Sequence, residues 1–215
     1  MTVTICLAAS TLGYPNGGGH RWVYLNWALG LAGLGCRVLW LESVPSRMPP
    51  DVAGSCIEAL KAHLAHYGLA DRVALAPSAV IPDPSKYGCL DLDAAAGADL
   101  LLNLRYGTPA EVVRRFRRTV LVDIDPGLLQ VWVSTGKLQL PPHDMYFTIG
   151  ETVGRPEAAF PDAGLPWHYT PPPVAVDWWP VSASEDGAPF TTVSHWQMGE
   201  WMVDGDEAYS NDKRT

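Results

Sequence analysis

His20 is the residue of this chain best placed to do chemistry. It directly follows three consecutive glycines: Gly17, Gly18 and Gly19. A histidine side chain gains and loses a proton near neutral pH, and glycines let backbone N–H groups approach a ligand at the positive end of a helix. The cluster therefore predicts a mouth for a phosphate or a sugar-linked phosphate, with Asn16 as a substrate contact beside it.

The cluster joins a predicted strand to a predicted helix, and this alternation continues along the chain. The apolar segments that predict strands are residues 2–9, 37–42, 73–76, 98–104, 119–123 and 144–149. Strands separated by helices indicate right-handed crossovers. We therefore expect an α/β fold, a Rossmann-like doubly wound parallel sheet of about six or seven strands with helices on both faces, over residues 1–154.

Ligands of such sheets bind beyond the carboxyl ends of the strands, so polar residues there become candidates. The residues predicted to contact the substrate at this edge are Asn103, Arg105, Asp125 and Glu151. Trp196 is a further candidate from the later part of the chain, because an indole face suits the apolar side of a sugar ring.

Two common glycine motifs do not fit the cluster. The dinucleotide fingerprint fails because Trp22 stands at its third glycine position, and His20 stands where a P-loop has its lysine. The remaining pattern is GGGHRWVYLNWALGLAGLGCRVLWLE, residues 17–42. It resembles the amino-terminal domain of GT-B glycosyltransferases, in which a Gly-Gly turn follows the first strand and a helix ends in leucine-x-x-x-glycine before a valine-rich second strand.

The resemblance implies the acceptor-side domain of an enzyme that moves a sugar from a nucleotide-sugar to a hydroxyl-bearing acceptor. It implies that His20 is the general base, that Asp123 or Asp125 orients it, and that residues 17–19 cradle the donor. The nucleotide-sugar would be a co-substrate, with no other cofactor and no metal ion. A carboxy-terminal donor domain, in a longer chain or in trans, or a second copy of this chain would complete the site.

Each of these residues also has a structural interpretation. Asp125 precedes Pro126 and could cap the next helix through its carboxylate. Asp123 ends a buried strand without an evident capping task, which makes it the better orienting partner. His20 could be only a helix-terminal residue, solvated or bonded to a nearby carbonyl.

Composition excludes several classes of function. The net charge of −8 argues against a nucleic-acid partner. No apolar run is long enough to predict a membrane span, and the amino terminus lacks the pattern of a signal peptide, so we expect a cytoplasmic protein. The four cysteines, Cys6, Cys36, Cys56 and Cys89, are too dispersed to predict a zinc site or a disulfide framework.

Residues 155–215 differ from the rest in their prolines and tryptophans, and we expect them to pack on the core or on a missing second domain. The absence of a donor domain leaves open a non-catalytic carbohydrate- or nucleotide-binding module. An NAD-dependent oxidoreductase or epimerase is a further alternative, because Glu42 ends the second strand where such enzymes grip a ribose. The failed glycine spacing argues against it.

Overall fold

The computed structural model describes residues 2–183, 187–189, 197–204 and 207–212. Seven strands form one parallel sheet, and two further strands form an antiparallel pair. The strands are β1 (Thr4–Ala8), β2 (Arg37–Glu42), β3 (Val73–Leu75), β4 (Leu100–Asn103), β5 (Thr119–Asp123), β6 (Met145–Thr148), β7 (Trp167–Tyr169), β8 (Gln197–Asp204) and β9 (Glu207–Asp212).

Helices connect the strands of the parallel sheet. They are α1 (Gly18–Gly33), α2 (Pro50–Ala65), α3 (Leu92–Ala96), α4 (Ala110–Val113) and α5 (Leu128–Ser134), with short 3-10 turns at Ala70–Arg72, Pro84–Tyr87 and Val176–Trp178. Within the described ranges, none of the helices is both long and apolar enough to cross a lipid bilayer.

The helices cover both faces of the sheet, as the alternation of buried side chains requires. On β1, Leu7 packs in one cluster with Leu25 of α1 and Ile57 of α2. The neighbouring residue Cys6 belongs to the opposite cluster, with Val112 of α4. Successive side chains of a strand point to opposite faces, so a strand covered by helices carries apolar residues toward both faces. The prediction of a doubly wound α/β fold is confirmed.

The strand order is β3-β2-β1-β4-β5-β6-β7, with every neighbouring pair parallel. The chain therefore winds outward from β1 to β3 and then returns to the other side of β1. At this reversal the connections after β1 and β4 leave the sheet in opposite directions and open a crevice at the carboxyl edge.

Two details of the core differ from the sequence-based expectation. Helix α1 begins at Gly18, so two of the three glycines lie in its first turn rather than in a preceding loop. Strand β7 comes from residues 155–215 and pairs with β6, which extends the sheet into the proline- and tryptophan-rich segment. Three residues beside Pro166 give too short an apolar pattern to predict a strand.

The segment at residues 171–179 lies on the helices of one face. The backbone N–H of Ala175 donates to Asn26 Oδ1 of α1 at 3.0 Å. The ring centroids of Trp22 and Trp179 are 4.5 Å apart, and Trp178 meets Tyr67 edge to face at 5.0 Å. Trp178 and Trp179 therefore contact aromatic rings at the surface of the domain, and both remain about half exposed.

Candidate functional site

A cavity of about 440 Å³, which we call the switch cavity, lies at the carboxyl edge where the strand order reverses. The loops after β1, β4 and β5 and the helices α1 and α5 contribute to its wall. Its polar and aromatic lining residues are Ser10, His20, Tyr24, Arg105, Tyr106, Asp125 and Trp132. A larger cavity, about 720 Å³, lies near Asp99 and Arg118 at the opposite edge, where the strands begin. Sheets of this kind bind their ligands at the carboxyl edge instead.

The geometry around His20 determines which of its ring nitrogens can accept a proton. Its Nε2 lies 2.7 Å from the backbone carbonyl oxygen of Ser10. A carbonyl oxygen only accepts hydrogen bonds, so Nε2 carries the hydrogen and, in the neutral ring, Nδ1 is the free acceptor. The rings of Tyr14 and Tyr24 meet the imidazole edge to face at 5.9 and 5.2 Å and restrict its orientation.

The three glycines before His20 differ in what surrounds them. A Cβ on Gly17 would lie 2.1 Å from the Tyr14 ring, so any other residue there would displace that ring. A Cβ on Gly18 or Gly19 would meet nothing within 4 Å. Within the part of the chain that the structure describes, no acceptor receives the backbone N–H of Gly19 or of His20. The first turn of α1 therefore offers free donors beside open space.

Asp123 is completely buried and holds the surrounding loops. Its Oδ2 accepts hydrogen bonds from Gln130 Nε2 and Thr148 Oγ1, both at 2.8 Å, and its Oδ1 accepts the backbone N–H of Asp125 at 2.9 Å. Burial raises the pKa of this carboxyl, although the bonds from Gln130 and Thr148 oppose the rise. None of the hydrogen bonds that the structure describes joins Asp123 to His20.

Asp125, two residues further on, lines the switch cavity together with His20. Its Oδ2 accepts the hydroxyl of Tyr106 at 2.9 Å. It does not cap α5, because that helix begins after Gly127, whose φ of 91° only glycine adopts readily. Burial and then the Asp125 charge raise the pKa of Tyr106, so that phenol keeps its proton and remains a donor.

Asn103 and Arg105 form a similar pair after β4. Asn103 is buried, and its Oδ1 accepts the backbone N–H of Arg105 at 3.1 Å and the hydroxyl of Thr108 at 2.9 Å. Its Nδ2 lies 3.1 Å from His143 Nε2. Arg105 lines the switch cavity, and its Nη1 is buried without a hydrogen-bond partner among the described residues. Asn103 therefore positions the loop after β4, and Arg105 lines the switch cavity.

Glu42 is also fully buried, at the end of β2. Its carboxylate accepts the backbone N–H of Thr11 at 3.0 Å, the Thr11 hydroxyl and the Trp40 indole N–H at 3.0 Å. Burial raises its pKa, and the same hydrogen bonds oppose the rise. A carboxylate engaged in this way is not free to hold the ribose of a dinucleotide.

The remaining predicted contacts lie away from the switch cavity. Asn16 is exposed in the turn before α1. Glu151 lines a separate cavity of about 480 Å³ with Arg155 and His168. Trp196, predicted to stack on a sugar, lies outside the described residues.

Sequence reasoning did not single out four of the polar and aromatic residues that line the switch cavity. Tyr24 lies four positions after His20 and therefore on the same face of α1, which helical spacing alone would indicate. Ser10 lies two residues after the end of β1, and Tyr106 directly follows Arg105, which was already a candidate. Trp132 is on α5, and only the packing of that helix brings it to the cavity.

The structure thus brings His20, Arg105 and Asp125 together and leaves Asn103, Asp123 and Glu151 outside the cavity. Over the described ranges, no group of three or more histidine, cysteine, aspartate or glutamate side chains is placed to hold a metal ion. Comparison of the chain with protein-family models, with curated proteins and with solved structures finds no match. Function must therefore be argued from the geometry of the switch cavity.

Proposed function

We propose that this chain is the acceptor-side part of a glycosyltransferase that moves a sugar from a nucleotide-sugar to a hydroxyl acceptor. The observation that carries the proposal is the position of His20. It lies in the first turn of α1 at the wall of the switch cavity, with Nε2 bonded to the Ser10 carbonyl and Nδ1 left as a proton acceptor. The resemblance of residues 17–42 to GT-B amino-terminal domains supports the same function.

In this proposal, Nδ1 of His20 takes the proton of the acceptor hydroxyl. The hydroxyl oxygen forms a bond to the anomeric carbon of the sugar. The bond from that carbon to the nucleoside diphosphate breaks, and the diphosphate leaves with the electron pair. The Ser10 carbonyl orients the imidazole and stabilises its protonated form, a role for which the sequence suggested Asp123. Asp125 lies in the same cavity and is available to bind acceptor hydroxyls.

The donor would meet the first turn of α1. The free N–H groups of Gly19 and His20 lie at the positive end of the helix dipole, where a diphosphate is stabilised. A donor-binding domain, supplied in trans or by a longer chain, would close over the cavity, and a second copy of this chain is the other possible partner. The nucleotide-sugar is the co-substrate, and the proposed chemistry needs no other cofactor.

A second candidate function is a carbohydrate- or nucleotide-binding module without catalysis. The observation that favours it is the engagement of Asp123 with Gln130, Thr148 and Asp125, which leaves His20 without a carboxylate partner among the described residues. A carbonyl oxygen carries only a partial charge and stabilises an imidazolium less than a carboxylate does. The two functions differ in what they predict for His20.

Calorimetric titration with UDP-glucose, GDP-mannose, the free nucleotides and methyl glycosides tests the proposal. We expect a nucleotide-sugar to bind, and His20→Ala to weaken that binding about tenfold through loss of a polar contact. His63→Ala, an exposed histidine on α2, is the matched control and leaves the affinity unchanged.

Different results would favour the second function or reject both. Binding of methyl glycosides without any dependence on the nucleotide, and unchanged in His20→Ala, supports a binding module. Absence of binding by the whole panel contradicts both functions for this chain. Once a nucleotide-sugar and an acceptor have been found to bind, glycosyl transfer is assayed with the partner that completes the site. It must be lost in His20→Ala if that histidine is the base.

A further inference from the structure

A second cavity lies at the same edge of the sheet as the switch cavity and shares one wall with it. Its volume is about 680 Å³, and we call it the arginine cavity. The loop after β2, the residues after β3 and helix α4 form its lining. Arg105 is the side chain that lines both cavities. A molecule that occupies both cavities would therefore lie across Arg105.

Arg105 has an unmet requirement for a hydrogen-bond acceptor. A guanidinium offers five N–H donors and stays charged in proteins, so a buried N–H without a partner is costly. Nη1 of Arg105 is such an atom, within the residues that the structure describes. The Asx turn made by Asn103 holds the backbone of Arg105 in place, since Asn103 Oδ1 accepts its N–H at 3.1 Å. Burial lowers the pKa of Arg105, and the Glu42 carboxylate opposes that change.

The other charged residues of the arginine cavity add to the positive charge. Arg47 and Arg115 line it with Arg105, against one carboxylate, Glu111. Arg47 is exposed and forms none of the ion pairs present among the described residues. Arg115 pairs with Asp93 at 2.5 Å, but both side chains are at least half exposed, so this pair is weak. A local excess of arginine stands out in a chain with a net charge of −8.

We propose that the arginine cavity binds an oxyanion, a phosphate or a carboxylate, carried by the acceptor substrate whose hydroxyl reaches His20. Planar guanidinium groups pair with both kinds of oxyanion through two parallel hydrogen bonds. The acceptor would lie across Arg105, with its anionic group in the arginine cavity and its reacting hydroxyl in the switch cavity. This inference rests on the proposed function only in identifying the bound molecule as the acceptor substrate. The anion site itself does not require glycosyl transfer.

The test is calorimetric titration of the full chain, at constant ionic strength, with inorganic phosphate, glycerate and, as a neutral comparison, glycerol. We expect phosphate or glycerate to bind and glycerol not to bind. Arg105→Ala and the exposed variant Arg47→Glu each raise the dissociation constant about tenfold, as loss of a charged hydrogen bond predicts. Arg114→Ala is the matched control, because Arg114 is exposed at the end of α4, next to Arg115, and lines neither cavity. We expect it to change the dissociation constant less than twofold.

Three results would overturn the inference. The first is that neither anion binds, and the second is that both arginine variants bind as tightly as the wild type. The third is that Arg105→Ala weakens binding while Arg47→Glu does not, which places the anion in the switch cavity instead. Circular dichroism checks folding, and if Arg105→Ala does not fold, Arg47→Glu and Arg115→Ala carry the test. Because the probes contain neither nucleotide nor sugar, failure here is distinguishable from failure of the His20 experiment.

Discussion

The carboxyl edge of the sheet holds its loops in two different ways. After β4, β5 and β6, the last residue of each strand accepts the backbone N–H of the residue two positions on. Asn103, Asp123 and Thr148 bond in this way at 3.1, 2.9 and 3.0 Å. On the β1–β2 side, Glu42 instead reaches across to Thr11, in the loop after the neighbouring strand.

The comparison separates structural residues from candidate functional ones. The polar side chain at the end of each strand is buried and fully engaged, as in Asn103 and Asp123. The residue two positions later, Arg105 or Asp125, lines the switch cavity. An Asx turn ties the carboxylate or amide to its own loop and leaves the following side chain outside it. Polarity at a strand end is therefore not by itself a sign of a ligand contact.

The largest effect we expect comes from Asp123→Ala. The substitution leaves Gln130 Nε2, Thr148 Oγ1 and the backbone N–H of Asp125 without their acceptor. Loss of buried, charge-assisted hydrogen bonds lowers the free energy of unfolding by about 3 kcal/mol. Urea denaturation measures it. Asp125→Ala, at an exposed position, changes it by less than about 1 kcal/mol. Equal destabilisation by the two variants would break the distinction between strand-end and loop residues.

A smaller effect concerns Glu42 on the other side of the edge. Burial raises the pKa of Glu42 above its ordinary value of 4.5, so the folded chain keeps this proton to a higher pH than the unfolded chain does. The contribution of Glu42 to the free energy of unfolding therefore falls as the pH rises from about 4.5 to the folded-state pKa, and is constant above it.

Denaturation of the wild type and of Glu42→Gln over this pH range checks the sign. We expect the stability of the wild type relative to the variant to decrease with rising pH, since glutamine does not titrate and other groups cancel in the difference. An increase would mean that the bonds from Thr11 and Trp40 outweigh burial, and that the two sides of the edge do not share the same electrostatics.

The smallest effect on stability is expected at Gly18, and it sharpens the interpretation of the glycines. Gly18→Ala meets open space at a negative φ, so it stabilises the fold by about 0.5 kcal/mol by restricting the unfolded chain. If a nucleotide-sugar approaches this turn, the same change weakens its binding. Thermal denaturation measures the change in stability, and calorimetry measures the change in affinity for the nucleotide-sugar. Unchanged binding with raised stability would mean that the donor does not lie against Gly18, and Gly17→Ala, which displaces Tyr14, is the comparison.

The sequence predicted the fold better than the site. Apolar segments such as residues 98–104 and 119–123 correctly indicated β4 and β5, because the central residues of a strand buried on both faces are apolar on each face. The site residues were chosen by their place after a strand, which is a one-dimensional criterion. It could not separate Asn103 from Arg105, or Asp123 from Asp125, because which member of each pair is buried depends on the partners that fold around it.

By itself, the sequence determined that strands and helices alternate around a buried parallel sheet, and that His20 and the carboxyl strand ends meet at one edge. Hydrophobic pattern and the handedness of crossovers dictate both, and both are local or topological properties. Only the tertiary structure decided that the Ser10 carbonyl orients His20, that the Glu42 carboxylate accepts hydrogen bonds from Thr11, and that Arg105 lies between two cavities. The contact of Glu42 with Thr11 and the two cavities beside Arg105 involve loops distant in the chain, so they exist only once the sheet has brought those loops together. The bond from His20 to Ser10 depends on the folded path of the β1–α1 connection.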